Sequence, residues 1–167
     1  MSNNIILIGF MGSGKTTVGC QLAKQMGRRF IDADNEIEQE TGMSVPHIFT
    51  YGESYFRGVE AETIRKICLA NGAVIATGGG VVENAGNVGV IRQSGAVCYL
   101  KWPLAELYEH VKDGTNRPLL NVPDPLAGMR ALLERREPLY LSAAHVVVEC
   151  AGKQIKTIAD EIEAYIK

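Results

Sequence analysis

Apolar positions along the 167 residues alternate between two periods. Short continuous runs rich in β-branched residues lie at 4–8, 29–32, 73–77, 96–100 and 145–149, the pattern of strands buried on both faces. Between them apolar residues recur three or four apart, as at Val18, Leu22 and Met26, which is the spacing of a helix with one buried face. The same period predicts helices at about 15–26, 34–41, 44–70, 83–94, 103–111, 125–142 and 153–166. Gly42 would end one of these, while Ser44 would cap the next, with Pro46 in its first turn. Alternating strand and helix predicts an α/β domain, a parallel sheet with helices on both faces. Only 112–124, with its Pro, Gly and Asn residues, carries neither period. A loop of that length in a compact domain reads as a lid or a disordered excursion.

The most specific chemistry sits between the first strand and the first helix. Gly9-Phe10-Met11-Gly12-Ser13-Gly14-Lys15-Thr16 fits the phosphate-loop pattern of two glycines with four residues between them, then Lys and a hydroxyl. Glycines let the backbone turn its N–H groups toward an anion, and the following helix adds the positive end of its dipole. Lys15 supplies a point charge toward the outer phosphates, and the Thr16 hydroxyl can ligate magnesium. The plain alternative is a Gly-rich turn with a solvated lysine, but spacing, context and the Lys-Thr pair agree on the first reading.

Composition narrows the rest. A 46% hydrophobic chain of this length suits one domain spanning 1–167, with a full core. A net charge of −2 gives no electrostatic footing for a nucleic-acid or membrane partner. Cys20, Cys68, Cys98 and Cys150 are widely spaced, with no Cys-x-x-Cys pair, so we expect four reduced, buried residues in a cytoplasmic protein. No signal pattern precedes the first strand, and no apolar run is long enough to span a bilayer.

Which phosphate-loop protein this is depends on the other polar positions. No Asn-Lys-x-Asp pattern reads guanine, and the third strand ends in Thr77-Gly78-Gly79-Gly80 rather than in a metal-holding Asp, which argues against a GTPase. Asp32-Ala33-Asp34 would place two carboxylates at the end of the second strand, beside the strand of the phosphate loop, with alternation pointing them the same way. Either Asp could instead cap a helix starting near Asn35. Gly78-Gly79-Gly80 would allow close backbone approach to a ligand, or form a plain turn. Arg57, Arg117 and Arg136 are each, taken singly, expected at the surface; with a phosphate loop they suggest fork-shaped anion recognition.

Taken together these segments resemble the shikimate kinase family over the whole chain. The likeness is carried by the phosphate loop, Asp32-Ala33-Asp34, Ile48-Phe49, Gly52-Glu53 ahead of Phe56-Arg57 and Glu60, Gly78-Gly79-Gly80, Arg117-Pro118-Leu119-Leu120, and Arg136 before Pro138-Leu139-Tyr140. The resemblance implies a P-loop kinase three-layer sandwich with a five-stranded parallel sheet and a lid loop. It implies ATP-dependent phosphorylation of the 3-hydroxyl of shikimate, with Mg2+, on the route to chorismate and the aromatic amino acids. Carried over by position, it makes Gly12, Ser13, Gly14, Lys15, Thr16 and Thr17 the phosphate cradle, Thr16 the direct magnesium ligand and Asp32 a carboxylate near the metal. Asp34, within a substrate-binding helical segment at about 34–62, would hold the substrate hydroxyls, Arg57 and Arg136 its carboxylate, and Gly78, Gly79 and Gly80 its backbone contacts. Arg117 would reach the ATP phosphates from the lid; Lys15, Asp34 and Arg117 form the implied catalytic set, and Lys153 is a nucleotide contact.

The chain departs from the family's pattern at Gly58, where a bulky or basic residue is frequent, and just past Tyr140, where an acidic residue is. His110 stands where an arginine is common, and Ala151-Gly152-Lys153 is not the usual basic turn, so base discrimination is expected to be loose. The partner expected is a small molecule bound by a monomer. The rivals are a kinase of another small hydroxy acid, such as gluconate, and a catalytically dead relative serving as a binding protein.

Overall fold

The computed structural model describes residues 3–114 and 120–167. Its sheet is parallel, with strands β1 (Asn4–Ile8), β2 (Phe30–Asp32), β3 (Val74–Ala76), β4 (Gly95–Lys101) and β5 (Val146–Glu149) in the order β2-β3-β1-β4-β5. All five residues of β1 are buried, as a central strand covered on both faces requires. The helices are α1 (Lys15–Met26), α2 (Ala33–Thr41), α3 (Val45–Phe49), α4 (Glu53–Ile67), α5 (Ala85–Ser94), α6 (Leu104–Val111), α7 (Pro125–Ala143) and α8 (Ile155–Ile166).

Strand order and the right-handed crossover rule assign the layers. The step from β1 to β2 runs one way along the sheet, and every later step runs back, so α1 lies on one face and α4, α5 and α7 on the other. α8 packs on α1, and α4 on α5. One apolar core joins these layers, including Ile5, Leu7, Leu22, Ile75, Tyr99 and Ile158. A second, smaller cluster of Ile37, Ile48 and Phe56 holds α2, α3 and α4 together beside the sheet, so this segment carries a core of its own.

Four sequence expectations need correction. The helix expected at 44–70 is two helices, because Gly52 adopts φ 108, a backbone setting that side chains resist, and α4 starts afresh from it. The second strand is not beside β1: β3 lies between them, paired to both. Asp34 is not on a strand, since α2 begins at Ala33 with Asp32 as its cap, so strand alternation does not relate the two carboxylates. Among the cysteines, Cys68, Cys98 and Cys150 are buried and free, but Cys20 is exposed. Burial pushes the Cys98 thiol up to about 12, which keeps it an unreactive apolar side chain at neutral pH. Gly42 and Ser44 do end and cap helices as expected; the Ser44 side chain accepts from the His47 backbone N–H. Among the described residues no helix is long and apolar enough to cross a membrane.

Candidate active site

β1 delivers the chain to the sheet's C-terminal edge, where it turns through Gly9–Gly14 into α1. Gly12 sits at φ 78, and a Cβ there would come within 2.7 Å of Val111 Cγ1 and 3.2 Å of the Leu107 carbonyl. Backbone strain and lack of space therefore both demand glycine at this position. Gly14, also left-handed at φ 79, caps α1 without a side-chain bond, leaving the first helical N–H groups directed at the cleft. Lys15 Nζ donates to the Gly9 and Phe10 carbonyl oxygens at 2.7 and 3.0 Å, folding across the loop it serves.

The loop is braced from outside by α6 and the residues before it. Trp102 Nε1 donates to the Ser13 carbonyl at 2.9 Å, and His110 Nδ1 lies 2.7 Å from the Gly12 carbonyl. A carbonyl only accepts, so His110 carries its proton on Nδ1. The two rings meet edge to face, 4.9 Å between centroids. Both carbonyls are thus held away from the turn, whose inside is closed by the Ser13 N–H donating to the Phe10 carbonyl at 3.1 Å. Lys153 also lines this cleft, of about 750 Å³, though its ammonium is paired to Glu161 at 2.8 Å.

Thr16 Oγ1 donates to Asp32 Oδ2 at 2.7 Å, while Asp32 Oδ1 accepts from the Asn35 N–H. Capping and cleft roles thus fall on different oxygens of one carboxylate. Hydroxyl and carboxylate oxygens at such a separation are the hard donors that suit magnesium. Among the described residues there is no cluster of three or more His, Cys, Asp or Glu that could hold a metal, so the remaining ligands would be phosphate and water oxygens, the usual magnesium arrangement. The residues present fit the ion.

A second cleft, of about 1010 Å³, opens between the α2–α4 segment and α7; it shares Met11, Asp34, Gly78 and Gly79 with the first. Burial, and next the neighbouring Asp32, push the Asp34 carboxyl up from its ordinary value, with Lys15 and Arg57 opposing. Arg57 on α4 donates to Glu60 Oε1 at 2.9 Å, a helical i,i+3 pair. Glu60 is buried, its Oε2 has no hydrogen-bond partner among the described residues, and burial pushes its carboxyl up as well. Gly80 leaves room for the Arg57 guanidinium: a Cβ there would lie 2.3 Å from Nη2, on a side chain held by three glutamates. Arg136 on α7 is 8% exposed, and its Nη1 lies 3.5 Å from where a Gly79 Cβ would be. Tyr140 one turn on donates to the Gly79 carbonyl and stacks on Tyr99, fixing the glycine turn to α7.

The structure therefore gathers Gly12, Ser13, Gly14, Lys15, Thr16, Thr17, Asp32, Asp34 and Lys153 on one cleft, and Asp34, Arg57, Gly78, Gly79, Gly80 and Arg136 on the other. Arg57 and Arg136 are half-buried and buried rather than solvated. Arg117 lies outside the described residues. Sequence reasoning gave no role to Trp102, Glu83 or Arg135. Glu83 ends a single 3-10 turn, Val81–Glu83, where a plain helix start was expected, and it accepts from both Arg135 and Arg136. Glu60 was legible in principle from its spacing to Arg57; Glu83 and Arg135, more than fifty residues apart in the chain, carried no such signal.

The described shikimate kinase sequence family matches residues 11–167. A shikimate kinase of Nitrosococcus oceani is 44% identical over 160 residues, covering 95% of this chain and 84% of that protein. The structure of a shikimate kinase from Acinetobacter baumannii in complex with shikimate superposes with a TM-score of 0.95 at 40% identity, covering 99% of this chain and 93% of that one. A gluconokinase from Sinorhizobium meliloti, at 17% identity and a TM-score of 0.60 over 98% of this chain and 91% of that one, shares the fold alone. A braced phosphate loop, a magnesium-suited Thr–Asp pair and an arginine-lined second cleft on this fold thus come with close relatives, and the chain belongs to the shikimate kinase family of ATP-dependent, magnesium-using enzymes that phosphorylate a hydroxyl group.

Proposed function

We propose that this enzyme transfers the γ-phosphoryl group of ATP to the 3-hydroxyl of shikimate, with the phosphates in the first cleft and the acid in the second. The observation that carries the reading is Asp34, on the wall the two clefts share. A hydroxyl held there faces the phosphate loop on one side while its own carboxylate, across the ring, reaches the arginines on the other.

Backbone N–H groups of Gly12, Ser13, Gly14, Lys15, Thr16 and Thr17 bind and orient the phosphates, and Lys15 bears charge that builds on the transferred group. Thr16 and Asp32 would hold magnesium, which when bound supplies the positive charge that neutralises the phosphate oxygens. Asp34 orients the attacking hydroxyl and takes its proton late; burial that raises its pKa also makes it a better base. Arg57 and Arg136 hold the substrate carboxylate, with Gly78, Gly79 and Gly80 against the substrate by backbone. Arg117, from a lid at 112–124, contacts the phosphates and closes water out. Lys153 touches the nucleotide. The reading includes one P-loop kinase domain over 1–167, working as a monomer in the cytoplasm without nucleic-acid or membrane partners, in keeping with a net charge of −2.

Coupled release of ADP, measured with ATP and magnesium over a panel of hydroxy acids, tests this. Rapid turnover with shikimate, and gluconate slower by orders of magnitude, is the expected result; gluconate as the better substrate, or no turnover with either, would overturn it.

A further inference from the structure

The arginines of the second cleft already share a carboxylate of the protein's own. Glu83 Oε2 accepts from Arg136 Nε at 3.3 Å and Nη2 at 3.1 Å, and lies 3.7 Å from Arg57 Nη2. Its other oxygen accepts from Arg135. Burial pushes the Glu83 carboxyl up, but Arg136 and Arg135 outweigh that and hold it below its ordinary value, so the group stays ionised at neutral pH. Glu53 and Glu60 add two more carboxylates on Arg57.

Two physical consequences follow. An arginine offers a carboxylate two paired edges, and Glu83 occupies the Nε/Nη2 edge of Arg136, leaving chiefly the Nη1 end, by Gly79, for an incoming anion. The three arginines also face three glutamates, with Asp34 on the same cleft, before any ligand arrives, so an incoming carboxylate meets guanidinium groups already countered by carboxylates and feels Glu83 as a like charge in a poorly screened cleft.

Resting on the assignment of Arg57 and Arg136 to the substrate carboxylate, we propose that Glu83 is an affinity-setting residue of this enzyme: an internal carboxylate that competes with the substrate's for the same guanidinium groups and keeps carboxylate binding weaker than the arginines alone would make it.

The test uses Glu83→Gln, which keeps the shape and an accepting oxygen and removes the charge, with cyclohexanecarboxylate as a probe that has the ring carboxylate and no hydroxyl. At saturating ATP and magnesium, competition against shikimate gives the probe's Ki, and kcat and KM are measured separately. The expected result is a fall of about tenfold in both the probe's Ki and the KM for shikimate, shrinking as salt is added, with the KM for ATP unmoved. A merely structural role would move these constants the other way, since an unpartnered Arg136 would lose its position; constants that rise or stay equal overturn the proposal. If the probe competes with shikimate but equally in both proteins, Glu83 alone is misassigned; if it does not compete with shikimate in either, the arginine assignment fails and the proposal with it. Should Glu83→Gln melt too early for kinetics, Glu83→Asp keeps the charge but draws it back from Arg136, and calorimetric titration of the probe at low temperature must show tighter binding than in the parent enzyme; equal or weaker binding there sinks the idea.

Discussion

The two clefts are built on opposite plans. The phosphate side is one continuous turn, Gly9 to Thr16, whose geometry follows from its own glycines and from a helix that begins inside it. The acid side has no such local cause: Asp34 comes from α2, Arg57 and Glu60 from α4, the glycine turn and Glu83 from the end of β3, and Arg135 and Arg136 from α7. Anion binding by backbone N–H groups needs little beyond a correct chain path, whereas anion binding by side chains needs buried charges that must first be balanced. The first cleft is accordingly open to its ligand by construction, and the second is crowded with counter-charges.

Breaking the phosphate side should have the largest effect. Lys15→Met removes a charge that matters mainly as the phosphoryl group moves, and kcat should fall by at least roughly 10²–10³-fold in a protein with an unchanged circular dichroism spectrum. An unaltered kcat would remove Lys15 from the mechanism. At the shared wall, Asp34→Asn deletes the base, and kcat should drop about 10²–10⁴-fold at any magnesium concentration. Asp32→Asn, in contrast, should be rescued by excess magnesium after a loss of roughly 10–100-fold; equal rescue of both variants would erase the difference drawn between the two carboxylates.

On the acid side the effects should be smaller and confined to shikimate. Arg136→Lys and Arg57→Lys replace a fork with a point charge, and each should raise the KM for shikimate roughly 10–150-fold, the equivalent of about 1.5–3 kcal/mol, the range for hydrogen bonds to charged groups. Arg136 should show the larger loss, because its side chain is 9% exposed against 22% for Arg57. Normal shikimate binding with weakened ATP binding would reverse the assignment of the clefts. Trp102→Phe keeps the ring but loses the bond to the Ser13 carbonyl, worth about 1 kcal/mol, so the KM for ATP should rise a few-fold while that for shikimate stays put.

The smallest expected effect is one of stability. Asp34 has its pKa raised in the fold by burial, so folding favours its neutral form; the stability this gives is present below the unfolded value of 3.8 and lost as pH rises through the folded one. Asp34→Asn should therefore melt higher than the parent enzyme at pH 7 and equally near pH 3. A variant that melts lower at pH 7 would mean that Lys15 and Arg57 outweigh burial after all.

The same contrast explains what could be read from the chain. Strands and most helices were legible because period and Gly, Ser and Pro punctuation are local, and the phosphate loop because its chemistry is written in consecutive residues. The break at Thr50–Gly52 was hidden by apolar spacing that runs through it in register. The place of β2 two strands away from β1 was hidden because order in a sheet is decided by packing between distant segments. Arg57 and Arg136 could be named but not seen as buried, and Glu83 could not be named, since what makes it part of the site is an approach across the fold to α7.

That strand order also sets a clock. β1, the central strand, has as neighbours only β3 and β4, whose first residues are Val74 and Gly95, and it makes no ladder with β2. While the chain is being made at about 5–20 residues per second, its central strand therefore waits several seconds for a first partner. During that time the emerging chain holds two strands that do not pair with each other, and α2–α4, with their own small cluster, are the part able to organise early. Pairing across such distances is slow even in a finished chain. The architecture that gives β1 neighbours on both sides, and so aims the phosphate loop, is thus also what leaves Asn4–Ile8 exposed longest to other chains during synthesis.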